Sequence, residues 1–115
     1  MGFGINGAIL RVDLTAGTTT VETFGEALYR PYPGGKPLAA YHLLREMPAG
    51  ADPLGPDDVL VLATGLLTGA PVSTATRFNA IARSPLTGGF GESEAGGYWG
   101  PELKLAGFDA VILTG

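Results

Sequence analysis

The chain contains no cysteine. Disulfides, thiolate metal sites and cysteine-ligated iron–sulfur clusters are therefore excluded within it. Charge is scarce as well: Asp, Glu, Lys and Arg make up 16% of the residues, against about 25% in an average globular domain. The balance is acidic, at −4, which argues against nucleic acid as a partner because phosphate contacts need a basic face. No apolar run approaches the ~20 residues that cross a bilayer, and the first residues lack the basic-then-apolar pattern of a signal peptide. No membrane partner and a cytoplasmic location are the resulting expectations.

Glycine is what the chain has in excess: 19 among 115 residues, where about 7% is usual. Few charges and many glycines suit a domain that meets other protein, or a large ligand, over much of its surface. A homo-oligomer is one such arrangement. The length allows one domain, able to bury roughly two thirds of its unfolded surface.

Along the chain, Gly2, Gly4 and Gly7 match G-x-G-x-x-G, a fingerprint that needs a strand before it and a helix after it. Nothing precedes it here. Residues 8–14, directly after it, alternate as a strand, with Leu10, Val12 and Leu14 opposed to Arg11 and Asp13. Thr15-Ala16-Gly17 turns the chain, and the threonine-rich residues 18–24 return as a second strand. The dinucleotide reading is rejected in favour of a hairpin. Residues 26–30 allow one helical turn before Pro31 and Pro33 end it.

The segment PGGKPLAAYHLLREM (33–47) invites a phosphate-loop reading through its glycine pair and lysine. It fails because position 30 is Arg rather than Gly and Pro37 stands where the motif needs Ser or Thr. A helix over 37–47 is predicted instead, with Ala40, Leu43, Leu44 and Met47 as its apolar stripe. His42, the single histidine, falls beside Arg45 and Glu46 on the polar side of that stripe and reads as a surface residue. The proline- and glycine-rich stretch 48–58 is loop. Residues 59–64 suit a buried strand, and the Gly-, Thr- and Ser-rich loop 65–76 should lie close to the candidate site around Arg77, because it delivers that residue.

Residues 77–107 carry the strongest local organisation. Phe78, Ala80 and Ala82 alternate with Arg77, Asn79 and Arg83, giving a strand with one apolar and one polar face. A turn at Ser84-Pro85 leads into a glycine-rich loop over 88–97, and then a helix over about 98–106 that Gly107 stops. Gly96 and Gly97 would leave backbone open to close approach by a ligand. Facing Arg77, that turn would take a phosphorylated or otherwise anionic ligand. The same pattern also occurs as a plain strand-to-helix connection. A last strand over 109–114 ends almost at the final residue, which reads as a domain belonging to something larger, either a fragment or one subunit of a split enzyme. The fold class expected is α+β, a mainly antiparallel sheet base with two short helices.

Several motifs in order, ILRVDLTAG (9–17), PGGKPLAAYHLL (33–44), DPLGPDDVLVLATGLLTG (52–69), RFNAIARSPLTGG (77–89) and SPLTGGFGESEAGGYWGPELKLAGFDAVILTG (84–115), resemble the N-terminal domain of the aldehyde ferredoxin oxidoreductase family. The resemblance implies a tungsten (or molybdenum) bis-pterin cofactor lying on a β-rich base, with magnesium bridging the pterin phosphates. It implies a [4Fe–4S] cluster held by cysteines in later domains, and oxidation of aldehydes to carboxylic acids with ferredoxin as acceptor. By this resemblance Arg77, Glu94, Ala95, Gly96 and Gly97 are the cofactor-binding positions, with the Glu94 backbone carbonyl toward magnesium and no catalytic residue in the chain. Glu94 departs from the family's usual asparagine, Lys36-Pro37 from Arg-Gly, and Leu66 from a common proline. The partners implied are the remaining domains or subunits of the enzyme, without which the chain is expected to be inactive. The alternative is a non-catalytic scaffold that keeps the fold without the cofactor.

Overall fold

The computed structural model describes residues 4–115, so Gly2 of the opening glycine pattern lies outside the described residues. Six strands and three helices follow the order β1 (Ala8–Asp13), β2 (Thr18–Thr23), α1 (Glu26–Tyr29), α2 (Gly35–Glu46), β3 (Leu60–Thr64), β4 (Phe78–Arg83), β5 (Phe90–Ala95), α3 (Trp99–Leu105) and β6 (Ala110–Thr114). The strands form one sheet in the order β2-β1-β6-β3-β4-β5. All neighbours are antiparallel except β1 and β6, which run parallel in the register Ile9↔Ala110 to Asp13↔Thr114. The α+β class expected from the pattern is the one observed, with a mixed rather than purely antiparallel sheet.

The core forms where α2 lies on the central strands. Ile9, Val61, Ala63, Ile81, Ala110 and Ile112 point to one side of the sheet and are buried against Leu38, Ala39 and Leu43 of α2 and Tyr29 of α1. Burying a leucine or isoleucine side chain of this kind is worth about 1.5–3 kcal/mol, so this layer carries most of the fold's cohesion. By the period-2 alternation of strands, Leu10, Val12, Leu60 and Leu62 point to the opposite side. None of these four is fully buried.

Three sequence expectations change. The residues 90–95 expected as glycine loop form β5, a hairpin partner of β4 in the register Phe78↔Ala95 to Arg83↔Phe90. The buried stripe of α2 is Gly35, Leu38, Ala39, His42 and Leu43, rotated from the expected one, and Leu44 is 76% exposed. His42 is accordingly no surface residue: it is 1% exposed, with Phe24 and Tyr41 edge-on at 5.4 and 5.1 Å.

The glycine pair of the PGGK segment serves packing. Gly34 (φ +115°) and Gly35 (φ +58°) adopt backbone that other residues avoid, and a Cβ on Gly34 would come within 2.9 Å of the Thr64 carbonyl oxygen. A Cβ on Gly35 would stand 3.1 Å from Asn79 Oδ1. The start of α2 is thereby brought down onto the ends of β3 and β4, which is where the site lies.

Candidate functional site

Arg77 is the residue before β4, exposed, one step beyond the Phe78–Ala95 pair. That step brings it to Gly96, where a Cβ would meet Arg77 Nε at 3.9 Å and Thr76 Oγ1 at 3.4 Å. The absent side chain leaves the Gly96 backbone bare beside the guanidinium. Gly97 comes next, with φ +95° and open space around it. Ala95 is the last residue of β5, exposed, and Glu94 sits one rung further in, opposite Asn79.

Asn79 fixes the Glu94 side chain. Its amide Nδ2 donates to Glu92 Oε1 at 3.0 Å and Glu94 Oε1 at 3.2 Å, and Asn79 is only 9% exposed. Glu92 is also paired with Lys36 Nζ of the first turn of α2 at 3.2 Å. Both carboxylates of β5 therefore converge on one amide. Glu94 thus has a partner on the same chain.

A cleft of about 520 Å³ opens between the start of α2, the loop 65–76 and the start of β4, lined among others by Gly34, Pro37, Leu66, Thr68, Arg77 and Asn79. A second cleft of about 520 Å³ lies at the far end of α2, against Leu43, Met47 and Phe90. Its one charged lining residue, Arg83, is already bonded to the Ala51 and Gly88 carbonyls at 2.7 and 2.8 Å. Polar groups decide between the two clefts, and only the first holds an uncommitted one.

That group is Arg77. Arg11, Arg30, Lys36 and Lys104 pair with carboxylates, Arg45 donates to the Tyr41 hydroxyl, and Arg83 is held by its two carbonyls. Among the described residues, Arg77 alone of the seven basic side chains has no polar partner for its guanidinium. A planar fork left free at the mouth of a cleft matches carboxylate or phosphate oxygens. Thr74, also at this cleft, takes φ +66°, a left-handed conformation that β-branched residues disfavour.

The pattern of residues placed the loop 65–76 near this region but did not single out Thr68 within it, nor reveal Asn79 as more than a strand polar head or Lys36 as part of the site. Only the fold brings α2 and the 65–76 loop against β4. The one available signal was the density of Gly, Ser and Thr in that loop.

The other polar cluster lies at the C-terminal end of α2. Arg11 forks to both Glu46 oxygens at 2.7 and 2.6 Å and to Glu22 at 2.8 and 3.3 Å. Hydrogen bonds donated to Glu46 and then to Glu22 hold Arg11 firmly protonated. Burial pushes the Glu46 carboxyl up, but the bonds and charge of Arg11 outweigh it and leave it below its ordinary range. Burial pushes His42 down, against the weaker pull of Glu46. His42 Nδ1 lies 3.5 Å from Glu46 Oε1, and neither ring nitrogen makes a hydrogen bond.

The mixed sheet thus brings an open arginine and a bare glycine turn together beside a cleft. The chain belongs to the aldehyde ferredoxin oxidoreductase family: residues 9–115 match that family's N-terminal domain. It is 46% identical over 113 residues to the tungsten-containing aldehyde ferredoxin oxidoreductase of Pyrococcus abyssi, covering 98% of this chain and 19% of that protein. The corresponding enzyme of Thermococcus kodakarensis is 44% identical over the same shares. An aliphatic sulfonate oxidoreductase WOR-like subunit of Pyrococcus furiosus is 33% identical over 98% of this chain and 18% of its own. Among solved structures, the active site complex BamBC of benzoyl coenzyme A reductase in complex with 1,5-dienoyl-CoA superimposes with a TM-score of 0.95 at 35% identity, over 100% of this chain and 18% of that one. The chain thus spans about a fifth of the length of these relatives. Among its described residues, no helix is long and apolar enough to cross a membrane.

Proposed function

We propose that this chain is the cofactor-binding N-terminal domain of a tungsten or molybdenum pterin oxidoreductase that oxidises aldehydes to carboxylic acids, with ferredoxin accepting the electrons. The observation that carries the reading is the Arg77 guanidinium, without a polar partner among the described residues, beside the bare Gly96 backbone. The donor set fits such a cofactor: a guanidinium for phosphate or carbonyl oxygens and a glycine turn for close approach. The chain offers no thiolate, which suits a metal held by the pterin's own dithiolene sulfurs. When bound, the group supplies the two-electron chemistry.

The chain's own residues do the holding. Arg77 clamps a pterin phosphate, while Gly96 and Gly97 admit it close to the backbone. The Glu94 carboxylate is bonded to Asn79 Nδ2, and its backbone carbonyl would be the group offered to a magnesium ion. The half-exposed apolar side of the sheet is where further domains or subunits pack and shield the ligand from water.

By itself the chain walls the cofactor on one side only. The ordering cost of binding is then met by few contacts, and without cysteine no family-type cluster can take the electrons onward. The test is elemental analysis with a dye-linked aldehyde assay, on the 115-residue chain and on the same chain assembled with domains making up the rest of a relative's length. The expected result is neither tungsten nor turnover from the chain alone, and both from the assembly. Stoichiometric tungsten in the isolated chain would contradict the one-wall account. A loaded, active assembly that keeps its tungsten after Arg77→Ala would remove this site from the reading.

A further inference from the structure

We propose that Thr68 is a positioning residue for the Arg77 anion site, an inference that rests on the reading of Arg77 as the cofactor's anion clamp. Arg77 stands outside β4, which begins at Phe78, so its carbonyl is held by something other than the sheet ladder. Thr68 supplies the hold: its hydroxyl donates to the Arg77 carbonyl at 2.7 Å. The same oxygen accepts the Gly65 N–H at 2.9 Å, and the turn is closed again by the Thr68 N–H on the Gly65 carbonyl at 3.2 Å. Thr68 is 5% exposed, so these bonds are shielded from competing water.

The staple is anchored on both sides. Lys104 Nζ donates to the Gly65 carbonyl at 3.1 Å while paired with Asp109 at 3.1 Å. Asp109 in turn accepts the N–H groups of Asn6 and Gly7 at 3.0 and 2.8 Å. The Thr68 methyl is seated close to Gly100, where an added Cβ would come within 3.3 Å of it. β-branching restricts χ1, and within that restriction the hydroxyl's two bonds, to the Arg77 carbonyl and from the Gly65 N–H, set its direction. The consequence is functional: the guanidinium sits at the end of a long side chain, and fixing the backbone beneath it lowers the entropy lost when an anion is gripped.

The experiment titrates the protein with inorganic phosphate and follows the Gly96 and Gly97 amide resonances in ¹H–¹⁵N spectra. Wild type, Arg77→Ala, Thr68→Val, Thr68→Ser and a core control, Ile112→Val, are compared. Thr68→Val keeps the shape and removes both hydroxyl bonds, and should weaken phosphate about tenfold. Thr68→Ser keeps the hydroxyl and should stay within about twofold of wild type. Ile112→Val should lower the melting point and leave affinity unchanged. If Thr68→Val fails to fold, Thr68→Ala removes the same bonds with less demand on packing and is read in the same way. Wild-type affinity in Thr68→Val with binding lost in Arg77→Ala would overturn the staple and leave the anion site standing. Equal weakening in Thr68→Ser, or in the core control, would also overturn it, because the methyl or general loosening would then be the cause. Undiminished binding in Arg77→Ala would bring down the anion site itself, and the staple with it.

Discussion

The two ends of α2 treat charge in opposite ways. At the C-terminal end Arg11 is shared between Glu46 and Glu22 in four close contacts, and both carboxylates are answered within the chain. At the N-terminal end the acidic side is answered, with Glu92 and Glu94 on Asn79 and Lys36, while Arg77 is left over. A partly buried cation with its carboxylates in place is part of the structure. An exposed one beside a bare backbone turn and a cleft is available to something that arrives later. Identical side-chain chemistry is thus used for the fold at one end and left open at the other, where the proposed reading places a ligand.

The largest expected effect breaks the settled end. Glu46→Ala removes the two bonds that tie Arg11 to α2 and leaves only Glu22 to pair it; it should cost about 2 kcal/mol, below the ~3–5 kcal/mol of a fully buried pair because one carboxylate remains. Arg77→Ala should change stability by less than about 0.5 kcal/mol, as for an exposed side chain without partners. Urea denaturation of the two variants measures both. A stability loss at Arg77 matching that at Glu46 would erase the distinction.

Acid should sharpen it further. The folded chain holds His42 below its ordinary 6.5, so as pH falls past that value the unfolded chain takes up a proton that the folded chain refuses. Stability falls wherever the unfolded state binds more protons. Glu46, held below its ordinary 4.5, adds a second loss of the same sign at lower pH. The melting temperature should therefore decline from pH 7 to pH 5, and His42→Leu should flatten that first stretch while leaving the drop through the Glu46 range.

A smaller effect is expected at the turn. Gly97 has φ +95° with open space around it, so Gly97→Ala meets strain without a clash and should cost about 1 kcal/mol. The smallest is at Thr74, whose φ of +66° suits asparagine better than a β-branched residue. Thr74→Asn should raise stability by about 0.5 kcal/mol. Both are read from thermal melts.

β1 and β4 could be read from the alternation of apolar with polar residues, and β3 from its short apolar run. β5 could not. FGESEA is an edge strand with almost every residue exposed, and its glutamates suit an unpaired edge rather than a core. The rotated stripe of α2 has a similar cause: His42 counts as polar in any pattern, yet here it packs edge-on to Phe24 and Tyr41. At the candidate site, Arg77 and Gly96 were legible because a strand end and a glycine pair mark themselves locally. Asn79, Lys36 and Thr68 acquire their places only when α2 and the 65–76 loop come to rest on β4, a tertiary event that no local spacing encodes.

The central claim is that Arg77 grips the cofactor of a family enzyme. The direct measurement is tungsten and phosphorus per protomer, by plasma mass spectrometry, in the assembled enzyme carrying this chain as wild type or as Arg77→Met, with urea stability measured in parallel. The account predicts wild-type stability with at least a severalfold loss of both elements in the variant, because removing one partner of a charge-assisted contact weakens binding strongly. Full tungsten and phosphorus in a stably folded Arg77→Met enzyme would contradict it.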